Sequence, residues 1–208
     1  MGRFVSVFLT VLLAVVTLDA QGTAGWKLRA DRSTNASDPD AAGDITLMAM
    51  GSGFHAINPQ AAVYWKPGTT ASGTYTLGGR FTLLKPSDHT NYYGLVFGGS
   101  DLEGPQQTYL YFLVAQDGTF IIKRRNGNGT EDVKAKEVSP AVRKPEANGQ
   151  SANQLDVRVT PETITYRVNG TTVHTTPRSG QTAKADGLYG FRVNHRLEVQ
   201  VDNLIVSK

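Results

Sequence analysis

The chain has 208 residues, no cysteine and a formal net charge of +3. Without thiols it has no disulfide framework, no thiolate chemistry and no N-terminal cysteine for a lipid. So small a charge, spread over scattered basic residues, excludes the electrostatic footprint of a nucleic-acid binder. Hydrophobic residues at 39% and charged residues at 19% are the balance of a globular domain with a sizeable core.

In chain order, the first feature is a leader. Arg3 supplies a positive start, residues 4–16 are an apolar run too short to cross a bilayer comfortably, and Thr17-Leu18-Asp19 ends it. Residues 1–24 therefore read as a signal peptide, cut after Ala20 or after Ala24; the second cut has small Gly22 and Ala24 at the recognised positions. No other segment approaches spanning length. Residues 25–208 read as one secreted or periplasmic domain, and an exported domain without cysteine points to a bacterial source. Sequons stand at Asn35, Asn128 and Asn169, the last at a place where turn chemistry already explains an asparagine.

The rest reads as strands and turns. Residues 25–31 form a first strand and 32–43 a polar loop around Asp38-Pro39-Asp40. Residues 45–50 form a short strand punctuated by Gly51-Ser52-Gly53-Phe54-His55. Residues 61–65 form another, stopped by Lys66-Pro67-Gly68, and 74–84 a longer one, stopped by Pro86. In Tyr92-Tyr93-Gly94-Leu95-Val96-Phe97-Gly98-Gly99 the glycines mark a bend or the close approach of another backbone or a ligand. Residues 109–115 and 120–125 pair as a hairpin around Gln116-Asp117-Gly118-Thr119. Residues 126–153 look irregular, with a short strand over 132–138 and a short helix near 141–146.

The stretch 155–206 has the cleanest pattern. Leu155, Val157 and Val159 alternate with Asp156 and Arg158, the period of a half-buried strand. Ile164-Thr165-Tyr166-Arg167-Val168 follows, and Asn169-Gly170 is the dipeptide of a two-residue hairpin, because both turn positions need positive φ. Many short strands with a turn every eight to twelve residues predict an all-β antiparallel sandwich of jelly-roll type, with the first and last strands paired.

The residues Asn153 to Val159, Ile164 to Gly170, Gly187-Leu188-Tyr189-Gly190-Phe191-Arg192-Val193 and Val199-Gln200-Val201-Asp202-Asn203-Leu204 carry a resemblance. Together they resemble the concanavalin A-like lectin and glucanase jelly roll, in particular laminin-G-like domains and the bacterial secreted 3-keto-disaccharide hydrolase domain. The resemblance spans most of the chain after the leader, and its motifs are turns and core alternation. It implies a sandwich that hosts lectins, glycosidases and adhesion modules alike. The narrower likeness implies action on oxidised sugars, although the Trp-rich start and the dense acidic and histidine set of that group are not matched here.

For the chemistry, a glycosidase of this fold needs two carboxylates converging on one bond. Glu103, Glu131, Glu137, Glu146, Glu162 and Glu198 show no such spacing, and Glu198, Gln200 and Asp202 read as the solvent face of an outer strand. No Gly-x-Ser-x-Gly elbow is present. His55, His89, His174 and His195 have no spacing that reads as zinc. The superfamily's structural Ca²⁺ implies Asp38, Asp40 and Asp202 as oxygen donors, with no other cofactor expected.

Sugar recognition joins aromatic faces to Arg, Asn and His groups that meet the hydroxyls. Leu110, Phe112 and Val114 read as core, which puts Tyr109 and Tyr111 on the opposite face. Lys123 and Arg125 on the partner strand, Arg192 and Tyr92 join them. The expectation is a non-catalytic glycan-binding module whose partner is a polysaccharide, an acidic one given the cations. The alternatives are a structural or protein-interaction module of the cell surface, and a hydrolase of 3-keto-disaccharides. Oligomeric state is not readable.

Overall fold

The computed structural model describes residues 23–208; the body of the expected signal peptide, with its Ala20 cut, lies outside the described residues. The described residues form fourteen strands: β1 (Lys27–Asp31), β2 (Thr46–Met50), β3 (Gly53–Asn58), β4 (Ala61–Ala71), β5 (Tyr75–Lys85), β6 (Tyr92–Ser100), β7 (Thr108–Ala115), β8 (Thr119–Asn126), β9 (Gly129–Val138), β10 (Ser151–Val159), β11 (Thr163–Val168), β12 (Thr171–Pro177), β13 (Gly187–Val193) and β14 (Leu197–Ser207). A 3-10 turn at Gly180–Thr182 precedes β13. No described helix is long and apolar enough to cross a membrane.

The strands form two seven-stranded sheets, one in the order β1-β4-β13-β6-β7-β8-β9 and the other β12-β11-β10-β5-β14-β3-β2. All pairings are antiparallel. Alternation builds the core between them: Leu110, Phe112 and Val114 from β7 meet Leu155, Val157 and Val159 from β10, all essentially without solvent contact. An aromatic file runs through one end, with Trp26 against Phe54 at 4.6 Å between centroids and Tyr64 stacked on Phe191 at 4.6 Å.

Several expectations are corrected. The first and last strands do not pair: β1 lies on β4 in one sheet, and β14 lies between β5 and β3 in the other. Gly53-Phe54-His55 does not merely punctuate; Gly51-Ser52 is a hairpin turn and Gly53 opens β3. Pro67 does not stop β4. Strand β1 pairs with β4 only as far as Trp65, so beyond it one side of β4 is an edge where a missing N–H costs no ladder bond. Strand β9 is ten residues, longer than the short strand expected. No helix forms near 141–146, because the backbone N–H and C=O of Arg143 bond the Asn153 side chain instead of a helical partner.

The turn at Asn169-Gly170 has φ of 50° and 81°, the left-handed pair that only such residues supply cheaply. The Asn169 side chain is also committed inward, its Nδ2 donating to Ala141 O at 2.8 Å and to Asn153 Oδ1 at 2.9 Å. That leaves this sequon no free amide. The glycine in the middle of β6 serves packing: a Cβ on Gly94 would meet the Phe112 carbonyl, and Leu155 Cδ1 at 2.8 Å.

The β7–β8 hairpin turn carries a pH-sensitive carboxylate. Partial burial would raise the pKa of Asp117, but bonds from Lys136 (2.7 Å), Thr119 N–H (3.1 Å) and Thr90 (3.0 Å) outweigh it and hold the carboxyl at about 2. A depressed folded pKa stabilises above the unfolded value and loses that contribution as pH falls through the folded one. The denaturant midpoint should therefore fall from about pH 4 toward pH 2, and Asp117→Asn should lack part of that fall. Parallel pH profiles for parent and variant would count against the ion pair.

Candidate functional site

The outer face of the first sheet is where the expected binding residues come together. Parity puts Tyr109 and Tyr111 of β7 and Lys123 and Arg125 of β8 on this face, with Arg192 of β13 beside them. Their exposure differs from expectation. Tyr109 and Tyr111 keep only 2% and 5% of their surface. They form a second small core with Val63, Trp65, Val96, Leu113 and Ile121, roofed by Leu102 from the β6–β7 connection. That connection folds back over the sheet because Arg29 donates to the Leu102 carbonyl (3.3 Å) and Lys27 pairs with Glu103 (2.8 Å). The chain itself therefore covers the part of the outer face around Tyr109.

What remains open is a groove of about 450 Å³ lined by Tyr92, Tyr111, Lys123, Asp132, Arg192 and Asn194, with Asp38 and Asn91 at one end. Tyr92 is the half-buried ring among its tyrosines, its hydroxyl 3.2 Å from Thr119 Oγ1. The face of Tyr111 is occupied: the Arg192 guanidinium lies 5.7 Å from its centroid, a cation–π contact. Arg125 does not reach the groove; its Nε donates to Gly127 O at 2.8 Å and ties down the β8–β9 turn.

Arg192 is the pivot. It ion-pairs with Asp31, donates to Asn194 Oδ1 at 3.0 Å and to the Tyr109 hydroxyl at 3.2 Å. Burial alone would raise the pKa of Asp31, but the Arg192 charge, aided by Arg125 and Arg29, reverses that and lowers it. Burial pushes the Tyr109 hydroxyl up to about 12, so it stays a neutral donor and acceptor at neutral pH. The other groove cations are paired as well, Lys123 with Asp132 at 2.9 Å and Lys136 with Asp117 at 2.7 Å.

Beyond Asp38 and Asn91 the groove continues into a smaller hollow of about 170 Å³ that also touches Asp31, Asp40 and His195. Three loops meet there. The 32–43 loop brings Asp38 and Asp40, the β5–β6 loop brings Asp88 and His89, and the β13–β14 turn brings His195. That turn holds Arg196 at a φ of 58°, kept by its bonds to Asp88 (3.2 Å) and the Pro39 carbonyl (3.0 Å). Asp38 Oδ1 lies 3.0 Å from His89 Nε2 and 3.2 Å from His195 Nε2, and the two Nε2 atoms are 3.3 Å apart. These three are the described residues whose donor atoms could hold a metal. Asp202 is not with them: it lies on β14 in the opposite sheet and accepts from Gln200 at 3.2 Å. Sequence reasoning placed Asp38 and Asp40 together but missed His89 and His195, which stand in separate loops. For His89 a faint signal was the neighbouring Asp88; His195 has no Asp beside it in the sequence.

A larger hollow of about 530 Å³ lies on the other side of Asp88 and Arg196, walled by Pro59, Pro86 and Leu197 and by no aromatic ring.

No protein-family model matches the sequence, and no curated protein matches it. Solved structures do match in shape. The carbohydrate binding module CBM66 of Bacillus subtilis superposes with a TM-score of 0.62 at 10% identity, over 88% of this chain and 96% of that one. A Bacillus subtilis protein of unknown function with a galectin-like fold gives 0.59 at 13% identity, over 87% and 88%. A Bacteroides ovatus mixed-linkage-glucan GH16 protein, solved with a G4G4G3G product, gives 0.59 at 10% identity, over 88% and 94%. The chain has the concanavalin A-like jelly-roll fold that these structures share, as its closing strands imply.

Proposed function

We propose that this chain is an exported glycan-binding module and that its ligand lies in the groove over Tyr92, Tyr111, Lys123, Arg192 and Asn194. The observation that carries this reading is the lining itself: a half-exposed ring beside fixed amide and guanidinium donors, open along one sheet face. A ring of this kind covers the apolar side of a pyranose, and the donors meet its hydroxyls. Because Lys123 is paired with Asp132 and Arg192 with Asp31, the groove offers no unneutralised cation from either residue. A neutral polysaccharide suits it better than an acidic one. The same pairings favour binding over hydrolysis, since a hydrolase needs two carboxylates free to act on one bond. The solved counterparts that bind or cleave sugars lend their fold to this reading and nothing finer.

The test is retention on immobilised neutral and acidic polysaccharides. The parent should be retained by a neutral one, and Tyr92→Ala and Lys123→Ala should each weaken retention about tenfold, the loss of one ring or one donor. The melting temperature of Lys123→Ala should stay close to the parent's, and that of Tyr92→Ala should fall modestly, because the Tyr92 ring packs against the second core from its edge. Tyr111→Ala is a poor probe, since removing so buried a ring opens a cavity. Variants that bind like the parent would sink the groove reading, and retention only by acidic polymers would sink the preference for neutral ones.

A further inference from the structure

We propose that Asp38, His89 and His195 bind a divalent transition-metal ion of the Zn²⁺ type at the end of the groove. His195 Nδ1 faces Asp40 Oδ1 at 3.0 Å and His89 Nδ1 faces Asp88 Oδ1 at 2.7 Å. A carboxylate can only accept, so each ring's Nδ1 carries the proton and donates it. In the neutral form of each ring Nε2 is then the lone-pair nitrogen, the one that can ligate a metal. The two Nε2 atoms and one oxygen of Asp38 stand close together, with separations of 3.0, 3.2 and 3.3 Å. Asn91 Nδ2 lies 2.9 Å from His89 Nε2 and occupies that nitrogen until an ion displaces it.

Three acceptors converging so closely repel one another unless a cation stands between them. The separations suit one. Donors about 2.0–2.1 Å from a tetrahedral zinc lie roughly 3.3 Å apart. The outer partners suit it too: a metal-bound imidazole usually donates its other N–H to a carboxylate, which fixes tautomer and ring orientation. Asp40 and Asp88 are those carboxylates here, and Asp88 is in turn held by Arg196. A buried His195, with a side chain only 8% exposed, and half-exposed Asp38 and His89 give a site anchored on one side and open to water on the other.

This differs from the Ca²⁺ that the resemblance implies. Calcium takes oxygen donors, whereas two of the three convergent atoms are imidazole nitrogens, and Asp202 is in the other sheet. The inference does not depend on glycan binding; it concerns the ion alone.

The test uses tag-free, chelator-treated protein in equilibrium dialysis against Zn²⁺, with Co²⁺ as a spectroscopic probe. One Zn²⁺ per chain should bind at micromolar concentration or tighter, raising the melting temperature. Bound Co²⁺ should show the intense visible bands of a tetrahedral site. His89→Ala and Asp38→Ala, changed at half-exposed positions, should each weaken Zn²⁺ binding at least tenfold. Asp40→Asn and Asp88→Asn should weaken it about 10–100-fold, and Asp202→Asn should leave it unchanged. If no ion binds in stoichiometric amount, the cluster is two protonated histidines around Asp38 and the proposal fails. It fails equally if His89→Ala binds Zn²⁺ like the parent, or if Ca²⁺ binds as tightly as Zn²⁺.

Discussion

Replacing Arg192 with Met is expected to destabilise the domain by about 3–5 kcal/mol, toward the lower end of that range. The guanidinium is the main counter-charge of Asp31, and the two side chains keep only 13% and 11% of their surface in solvent. Without it a largely buried carboxylate is left with Arg125 at 3.9 Å as its nearest remaining cation. Tyr109 and Asn194 each lose a bond as well. The double variant Asp31→Asn with Arg192→Met should recover part of the loss, because no unpaired charge then remains. Urea unfolding of both variants measures the effect. If the single variant costs less than about 1 kcal/mol, water reaches Asp31 and the pair behaves like a surface one.

Arg192 also shows how far parity reasoning carries. The alternation of Leu110, Phe112 and Val114 was enough to place Tyr109, Tyr111, Lys123 and Arg125 on one face, because a strand has a period of two and no other geometry fits. Parity says which side a residue faces, but not what lies over that side. The roof here is Leu102, drawn across by Arg29 from a strand more than seventy residues away in sequence, and nothing local announces that. The missed β3 and the length of β4 have the same cause. Glycine and proline were read as local stops, while the sheet neighbours decided whether a turn or an edge would absorb them.

The histidine cluster was still harder to read. Metal sites are legible when ligands share a helix or a short loop with fixed spacing. Asp38, His89 and His195 come from three connections, and only the sandwich brings those connections to one end. The superfamily resemblance implies Asp38 and Asp40, and the structure places both in the loop beside His195. Asp202 came from the same argument and lies in the other sheet, because β14 does not pair with the first strand as expected.

Asn153 is a polar residue in a core position. It stands in the apolar phase of Asn153, Leu155, Val157 and Val159, and the structure buries it completely. A buried amide in a core position must have partners. Its Oδ1 accepts from Arg143 N–H at 2.8 Å and from Asn169 Nδ2 at 2.9 Å, and its Nδ2 donates to Arg143 O at 3.1 Å. One side chain thus satisfies the 139–150 loop and the β11–β12 turn together. Asn153→Leu keeps the volume and removes all three bonds, leaving the Arg143 backbone without those partners. The expected cost is about 3 kcal/mol, two or three times a net hydrogen bond, because the stranded groups pay desolvation as well. The loss should appear as a lower urea midpoint with the slope preserved, and amide exchange should show the 139–150 loop opening first. Asn169→Ala should reproduce much of the effect, and in combination with Asn153→Leu should add less than the sum, since the two share a bond. Full additivity, or a cost for Asn153→Leu below about 1 kcal/mol, would mean that the loop finds other partners and that Asn153 does not hold it.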